Sequence, residues 1–432
     1  MSTITTTTTA EAAAAAAARH SYGKLIAWLS ARTRDVAAAE DALSEAFAAA
    51  LADWPRQGVP ASPEAWLLTV ARRRLVDAHR QRRQHDGVAD TLLLLMDEAV
   101  DGHARREIPD DRLALMFACA HPAIEASVRA PLMLQVILGF DAAAIGSAFL
   151  VPPSTMGQRL VRAKARIRQA ALPFAVPSLA ELAEPGGSDR LAAVLDAVYA
   201  CYAEGWTDAA GTDAQHRNLA DEALWLGGLL ASLMPEMPEA LGLLALMLHS
   251  HARRHARRDA AGRYVPLAEQ DTALWDHAMI RQAERLLHRA SALALGGAGG
   301  GPHRVGRYQL EAAVQSAHAV RRLSGRADWP AIERLYAALA RLSDSPVLVI
   351  NRAVALAETQ GPAAALALLD SVAPDARLAD YQPWWAARAD LLRRQGCMAE
   401  ARAAYQRAIG LATDPAVRAF LLQRLAQCEG AA

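Results

Sequence analysis

The sequence predicts an all-α protein, and three observations carry that expectation. Hydrophobic residues make up 53% of the 432-residue chain and aromatics only 5%, much of the remainder being alanine, which favours packed helices over sheets. Apolar residues recur at helical spacing in the segments described below. Proline and glycine fall between those segments, where helices stop and start. The length suggests roughly three domains.

Residues 1–19 hold a threonine run and an alanine run of low complexity. They lack the basic start and leucine-rich core of a signal peptide. The threonine run is expected to be disordered and the alanine run to lengthen the first helix. Residues 63–83, PEAWLLTVARRRLVDAHRQRR, form a helix whose inner stripe is Leu67, Val70, Ala71, Leu75 and Ala78. Its outer face gathers Thr69, Arg72, Arg73, Arg80 and Arg83 within about half a turn, and such cations suit DNA phosphates. Trp66 opens this helix, placed either to stack on an unpaired base or simply to fill the core. Residues 84–111 carry eight acidic residues, Asp86, Asp90, Asp97, Glu98, Asp101, Glu107, Asp110 and Asp111, against two arginines. This reads as a negative connector or a plain linker, with a short apolar contact at LLLLM, 92–96.

A short apolar helix, AAAIGSAFLV, then stops before Pro152 and Pro153, and a second helix follows through VPPSTMGQRLVRAKARIRQA. In that second helix Met156, Leu160, Ala163 and Ile167 share one face, and Ser154, Thr155, Gln158, Arg159, Arg162, Arg166 and Gln169 share the opposite one. Helix, tight turn and polar-faced helix is the helix-turn-helix pattern, in which the second helix enters the major groove N-terminal end first. A solvated basic face on any helical protein has the same composition. The formal net charge is zero, but residues 152–169 hold five basic groups and no acid, so the local patch matters rather than the total.

LPFAVPSLAELAEPGGSD, at 172–189, marks a boundary, and a larger helical body follows. Leu356, Gly361 and Ala365 align with Leu391, Gly396 and Glu400 at an offset of 35 residues, close to the tetratricopeptide period. The later repeat carries Tyr405, Ala408 and the closing Pro415, and residues 416–428 resemble a capping helix.

Three runs, AAAEDALSEAFAAALADWP, PEAWLLTVARRRLVDAHRQRR and PLMLQVILGFDAAAIGSAFLVPPSTMGQRLVRAKARIR, resemble in order and spacing regions 2 and 4 of bacterial extracytoplasmic-function sigma factors. The resemblance implies that 20–85 is region 2, 86–111 an acidic linker, 112–172 region 4 and 173–189 a second linker, with 190–432 a helical extension bearing tetratricopeptide-like repeats at about 346–428. It implies that Asp41, Ser44, Glu45 and Ala48 dock on core RNA polymerase, with Phe47 and Leu43 packing behind them. By the same likeness Trp66, Thr69, Arg72, Arg73, Arg80 and Arg83 open the minus-10 element, and Ser154, Thr155, Gln158, Arg159, Arg162 and Arg166 read the minus-35 element. Two positions depart from the family's pattern: Arg73 stands where asparagine is usual, and Ala144 where glutamate is usual. Blocks such as VYACYAEGWTDAAG and LGLLALMLHSHARRHARR resemble the extension of one sigma-factor group, whose tails regulate the factor from within the chain. An intramolecular contact between tail and sigma modules is one expected partner, beside core polymerase and promoter DNA.

No enzyme chemistry is expected, and no cofactor or metal. His249, His251 and His255 stand at i, i+2 and i+6 and point in three directions. Cys119 and His121 fail for the same reason, and GGAGGGP at 296–302 lacks the GKS or GKT of a phosphate loop. Tyr202, Glu204, Gly205 and Trp206 read as packing or as a pocket wall. Only Lys24 and Lys164 are lysines among 46 basic residues, a bias that suits phosphate contacts or reflects a GC-rich genome. Cys119, Cys201, Cys397 and Cys428 form no CxxC, which points to the cytoplasm, and no apolar run is long enough to enter a membrane. The arginines at 253–258 face either DNA or the acidic connector. Two other readings remain, a helix-turn-helix regulator with a tetratricopeptide sensor and a repeat scaffold with nonspecific basic helices.

Overall fold

Alanine occupies many helix contacts of this chain, and its small side chain lets helix axes approach closely. Ala27, Ala39, Ala46, Ala50 and Ala71 are fully buried, alternating with Leu25, Leu29, Leu43 and Leu67. The computed structural model describes residues 2–82, 110–149, 151–178, 181, 187–207, 214–295, 305–372 and 378–429. Most of the acidic connector, Arg83 and the 296–302 glycine run lie outside these residues, as do the side chains of Arg80, Glu204 and Trp206. The described residues are helical with no strand, as the sequence predicts, apart from an isolated antiparallel bridge between Arg258 and Tyr264. They divide into two bodies: residues up to Thr207 together with Ala214–Ala223, and residues from Leu224 onward.

In the first body, α1 (Ser2–Thr33) packs on α2 (Val36–Gln57), α3 (Pro63–Arg82), α4 (Arg112–Cys119) and α5 (Ala126–Leu138). The threonine run, expected to be disordered, belongs to α1. Ala10, Ala14 and Ala17, at i, i+4 and i+7, are buried and supply the apolar stripe that propensity alone would not. Gly23 lets α1 meet α5, since a Cβ there would overlap the Ile137 carbonyl. A short α6 (Ala142–Ala148) and the longer α7 (Pro153–Gln169) follow, and α7 rests on α2 and α5. Beyond the proline-glycine boundary, α8 (Gly187–Thr207) packs on α4 and α5, so this helix belongs with the first body.

The division between bodies falls inside α9 (Ala214–Leu233). In the second body α10 (Pro238–His251) is buried along its whole length between α11 (His277–Leu295) and α12 (Arg307–Ala319). The Glu239 carboxylate accepts from the backbone N–H groups of Tyr308 and Gln309, both at 3.0 Å, and so caps α12. After α13 (Arg321–Ser324), helix follows helix: α14 (Trp329–Leu339), α15 (Pro346–Thr359), α16 (Pro362–Asp370), α17 (Gln382–Gln395), α18 (Met398–Leu411) and α19 (Pro415–Glu429). Gly361 and Gly396 turn the α15–α16 and α17–α18 hairpins at φ 89° and 86°, a backbone that disfavours any side chain. Among the described residues no helix is long and apolar enough to cross a membrane.

Candidate nucleic-acid interface

The α6–α7 corner depends on a close approach. The Val151 N–H donates to the Gly146 carbonyl at 2.8 Å, and a Cβ on Gly146 would come within 2.7 Å of the Val151 carbonyl oxygen. Sequence reasoning passed over this glycine, because a single glycine in a short helix carries no visible phase. Asp141 caps the start of α6, its Oδ1 accepting from the Ala144 N–H at 2.7 Å. The alanine at 144 therefore leaves no helix start uncapped.

On α7 the predicted split is realised. Met156, Leu160 and Ile167 are each 1% exposed and Ala163 is buried, while Ser154, Gln158, Arg162, Arg166 and Gln169 are exposed and Thr155 and Arg159 half-buried. Ser154, Gly157, Gln158, Val161 and Arg162 line a shallow open groove along this surface. The Arg162 Nε donates only to the Gln158 carbonyl of its own helix, at 3.3 Å, and Arg159 and Arg166 have no side-chain partner among the described residues.

The other two cations of α7 are committed elsewhere. Lys164 Nζ lies 2.6 Å from Glu40 Oε2 on α2, both side chains 12% exposed. Arg168 Nη1 lies 3.2 Å from Asp35 Oδ2. The second oxygen of Asp35 accepts from the Ala38 N–H and caps α2. Burial pushes the Glu40 carboxyl above its usual range more strongly than Lys164 pulls it down. These two bridges bind α7 to α2, and no sequence signal marks them, since Lys164 and Glu40 are 124 residues apart.

On α2 the positions Asp41, Ser44, Glu45 and Ala48 form one exposed face, with Leu43 buried and Phe47 half-buried behind it. Leu51, 50% exposed, continues that face and gives it an apolar end that sequence reading left out. Glu45 does not stand alone, for its Oε2 lies 3.2 Å from Arg74 Nε on α3. On α3, Thr69 and Arg73 are exposed, and the Thr69 hydroxyl donates to the Ala65 carbonyl at 2.8 Å. Arg72 is half-buried, and Asp77, also exposed, borders this basic side. Trp66 packs edge-on against the buried Trp54, with ring centroids 5.5 Å apart, which favours its role as a core residue.

Residues 18–85, which hold α2, α3 and most of the α1 contacts just described, match the family described as sigma-70 region 2. The chain belongs to the sigma-70 family. An uncharacterized protein of Rhizobium meliloti (strain 1021) is 38% identical to this sigma factor over 397 residues, covering 91% of this chain and 90% of that protein. Residues 190–291 match a family of unknown function, DUF6596, which spans α8 to most of α11. No solved structure matches the chain. A sigma factor acts in transcription initiation by binding core polymerase and promoter DNA, so the exposed faces of α2 and α3 belong to a region with that work.

Proposed function

We propose that this sigma factor is of the extracytoplasmic-function type, in which α7 reads the minus-35 element, α3 opens the minus-10 element and the outer face of α2 docks on core polymerase. The observation that carries the reading is the carboxylate-free row of exposed Ser154, Gln158 and Arg162 with half-buried Arg159, on a helix held at a glycine-dependent corner. Arginine's planar fork suits guanine edges and phosphates, and Gln158 suits adenine. Asp41, Ser44, Glu45, Ala48 and Leu51 supply a mixed polar and apolar face for the polymerase clamp. In region 2, Thr69, Arg72, Arg73, Arg80 and Arg83 hold backbone phosphates while the strands part, and Trp66 supports the helix from behind. The second body, with its glycine-turned hairpins of tetratricopeptide type, regulates this activity from within the chain.

The two promoter elements lie roughly 25 base pairs apart, about 85 Å of B-form DNA. In this reading α7 leaves α2 when both are bound together. The test is transcription from a defined promoter with purified core polymerase, comparing the full chain with one ending at Ala223, which keeps α8 with its partners. Activity from either form sustains the sigma assignment, and activity from the full chain alone makes the second body an obligatory part. Failure of both forms to associate with core polymerase refutes it in favour of a regulator that binds DNA alone.

A further inference from the structure

The second body contains a cavity of about 600 Å³, within the size range of small-molecule sites. Three guanidinium groups line it, from Arg253, Arg321 and Arg326. The one carboxylate in its wall, Glu358, lies 2.7 Å from Arg394 and is thereby neutralised. Arg253 donates to the neutral amide of Gln315 at 2.6 Å and Arg321 to the Leu267 carbonyl at 2.8 Å. Arg326 is exposed, and its guanidinium has no partner among the described residues. Arg321 and Arg326 therefore make the cavity wall positive, and neither meets a carboxylate among the described residues.

Its apolar side is aromatic. Trp329 and Trp275 both line the cavity, the Trp329 ring standing at 90° to His318 with centroids 5.4 Å apart. Trp275 is 3% exposed, and its Nε1–H finds no acceptor among the described residues. A buried donor without a partner costs stability unless something supplies an acceptor. The side-chain amide of Asn351 also lines the cavity with no partner among those residues. Burial, and then Arg253, hold the His318 imidazole down to about 4, in keeping with a positive interior.

We propose that this cavity binds a small organic anion carried on a flat apolar ring, the chemistry of an aromatic carboxylate or an aryl phosphate. Guanidinium groups meet the charged head in bidentate fashion, and the indoles cover the ring. Neither family assignment of the chain places a ligand here, and the inference is independent of the sigma reading, because binding is measured without polymerase or DNA.

The experiment is calorimetric titration of the full chain with 1-naphthoate and 1-naphthyl phosphate as the two head groups, and 1-naphthylmethanol as the uncharged match. We expect saturable one-to-one binding of at least one anion, and the alcohol weaker by about tenfold or more, the worth of one charge-assisted hydrogen bond. Arg326→Gln, at an exposed position that holds nothing else in place, is expected to weaken the anion by about the same factor and leave the alcohol unchanged. Hydrogen exchange with the bound anion should slow in 315–336. Equal affinity for the alcohol, no binding of either anion at millimolar concentration, protection confined to other segments, or anion affinity unchanged in both Arg326→Gln and Arg321→Gln would overturn the proposal.

Discussion

Replacing Lys164 with methionine keeps the length of the side chain and strands the Glu40 carboxylate against α7. Removing one member of a buried pair costs about 3–5 kcal/mol when the remaining charge has no escape. Glu40 does have one, since it can take a proton from solvent. With an ordinary value of 4.5, protonation at pH 7 costs about 3.4 kcal/mol at 1.36 per unit, which caps the loss. At pH 5 the cap falls to about 0.7 kcal/mol. The sign is fixed by the raised folded-state carboxyl: a group that holds its proton more tightly when folded adds stability at low pH and loses it as pH rises. Lys164→Met should therefore destabilise the first body strongly at pH 7 and weakly at pH 5. The double variant Lys164→Met/Glu40→Leu, with two apolar side chains in contact, should return to within about 1 kcal/mol of the parent. Native-state hydrogen exchange of the α1 and α2 amides reads this body separately from the second. An equal loss at both pH values, or a double variant worse than the single, refutes the coupling.

Three further outcomes follow from other residues. Arg159→Ala and Arg162→Ala should each weaken holoenzyme binding to a matched promoter by about 1–3 kcal/mol if the side chain reads a base, and by a sequence-independent amount if it meets phosphate, as a competition assay with altered minus-35 sequences distinguishes. Gly146→Val should destabilise the α6–α7 corner by about 1–3 kcal/mol and abolish promoter binding while α1 amides keep their protection. Burial first, and then Arg253 and Arg322, hold the His249 imidazole down to about 3. Its folded value lies below the unfolded one, so its stability is present above pH 6.5 and is lost as pH falls toward 3, at about 1.4 kcal/mol per unit. His249→Leu should flatten that acid limb of the second body's unfolding curve.

Helical phase made part of this architecture legible. The stripe Met156, Leu160, Ala163 and Ile167 repeats every three or four residues, so periodicity located both the buried and the exposed sides of α7. The same holds for Asp41, Ser44, Glu45 and Ala48 on α2. What phase does not encode is which flank of a helix meets a distant helix. Lys164 and Arg168 stand one turn apart on such a flank, and nothing local separates them from Arg162 and Arg166. The proline-glycine segment at 172–189 looks like the end of the first body, yet α8 beyond it packs on α4 and α5, because burial of Leu191, Val194, Leu195 and Val198 outweighs any local break. Of the arginines at 253–258, legible only as a charge run, Arg253 donates to Gln315 and Arg258 pairs with Asp414 at 2.8 Å, both within their own body, while Arg254 is exposed.

In the proposed reading, where α7 meets DNA, the division of its cations also bears on how promoter binding is offset against opening. While α7 rests on α2, three of its five basic residues face outward and two neutralise α2 carboxylates. Release of α7 frees Lys164 and Arg168 at the flank of the groove face, where each can replace its lost carboxylate with a DNA phosphate. Opening is then partly self-compensating, and the compensation has a signature. Each phosphate neutralised adds about 0.9 to the slope of log affinity against log salt. Arg168 is the better probe, because its exposed pair with Asp35 contributes little to stability and its removal leaves the fold intact. If α7 leaves α2 on the promoter, Arg168→Gln lowers the salt slope of full-promoter binding by about one while leaving base preference unchanged. If α7 stays docked, Arg168 remains on Asp35 in free and bound states alike, and the slope does not move.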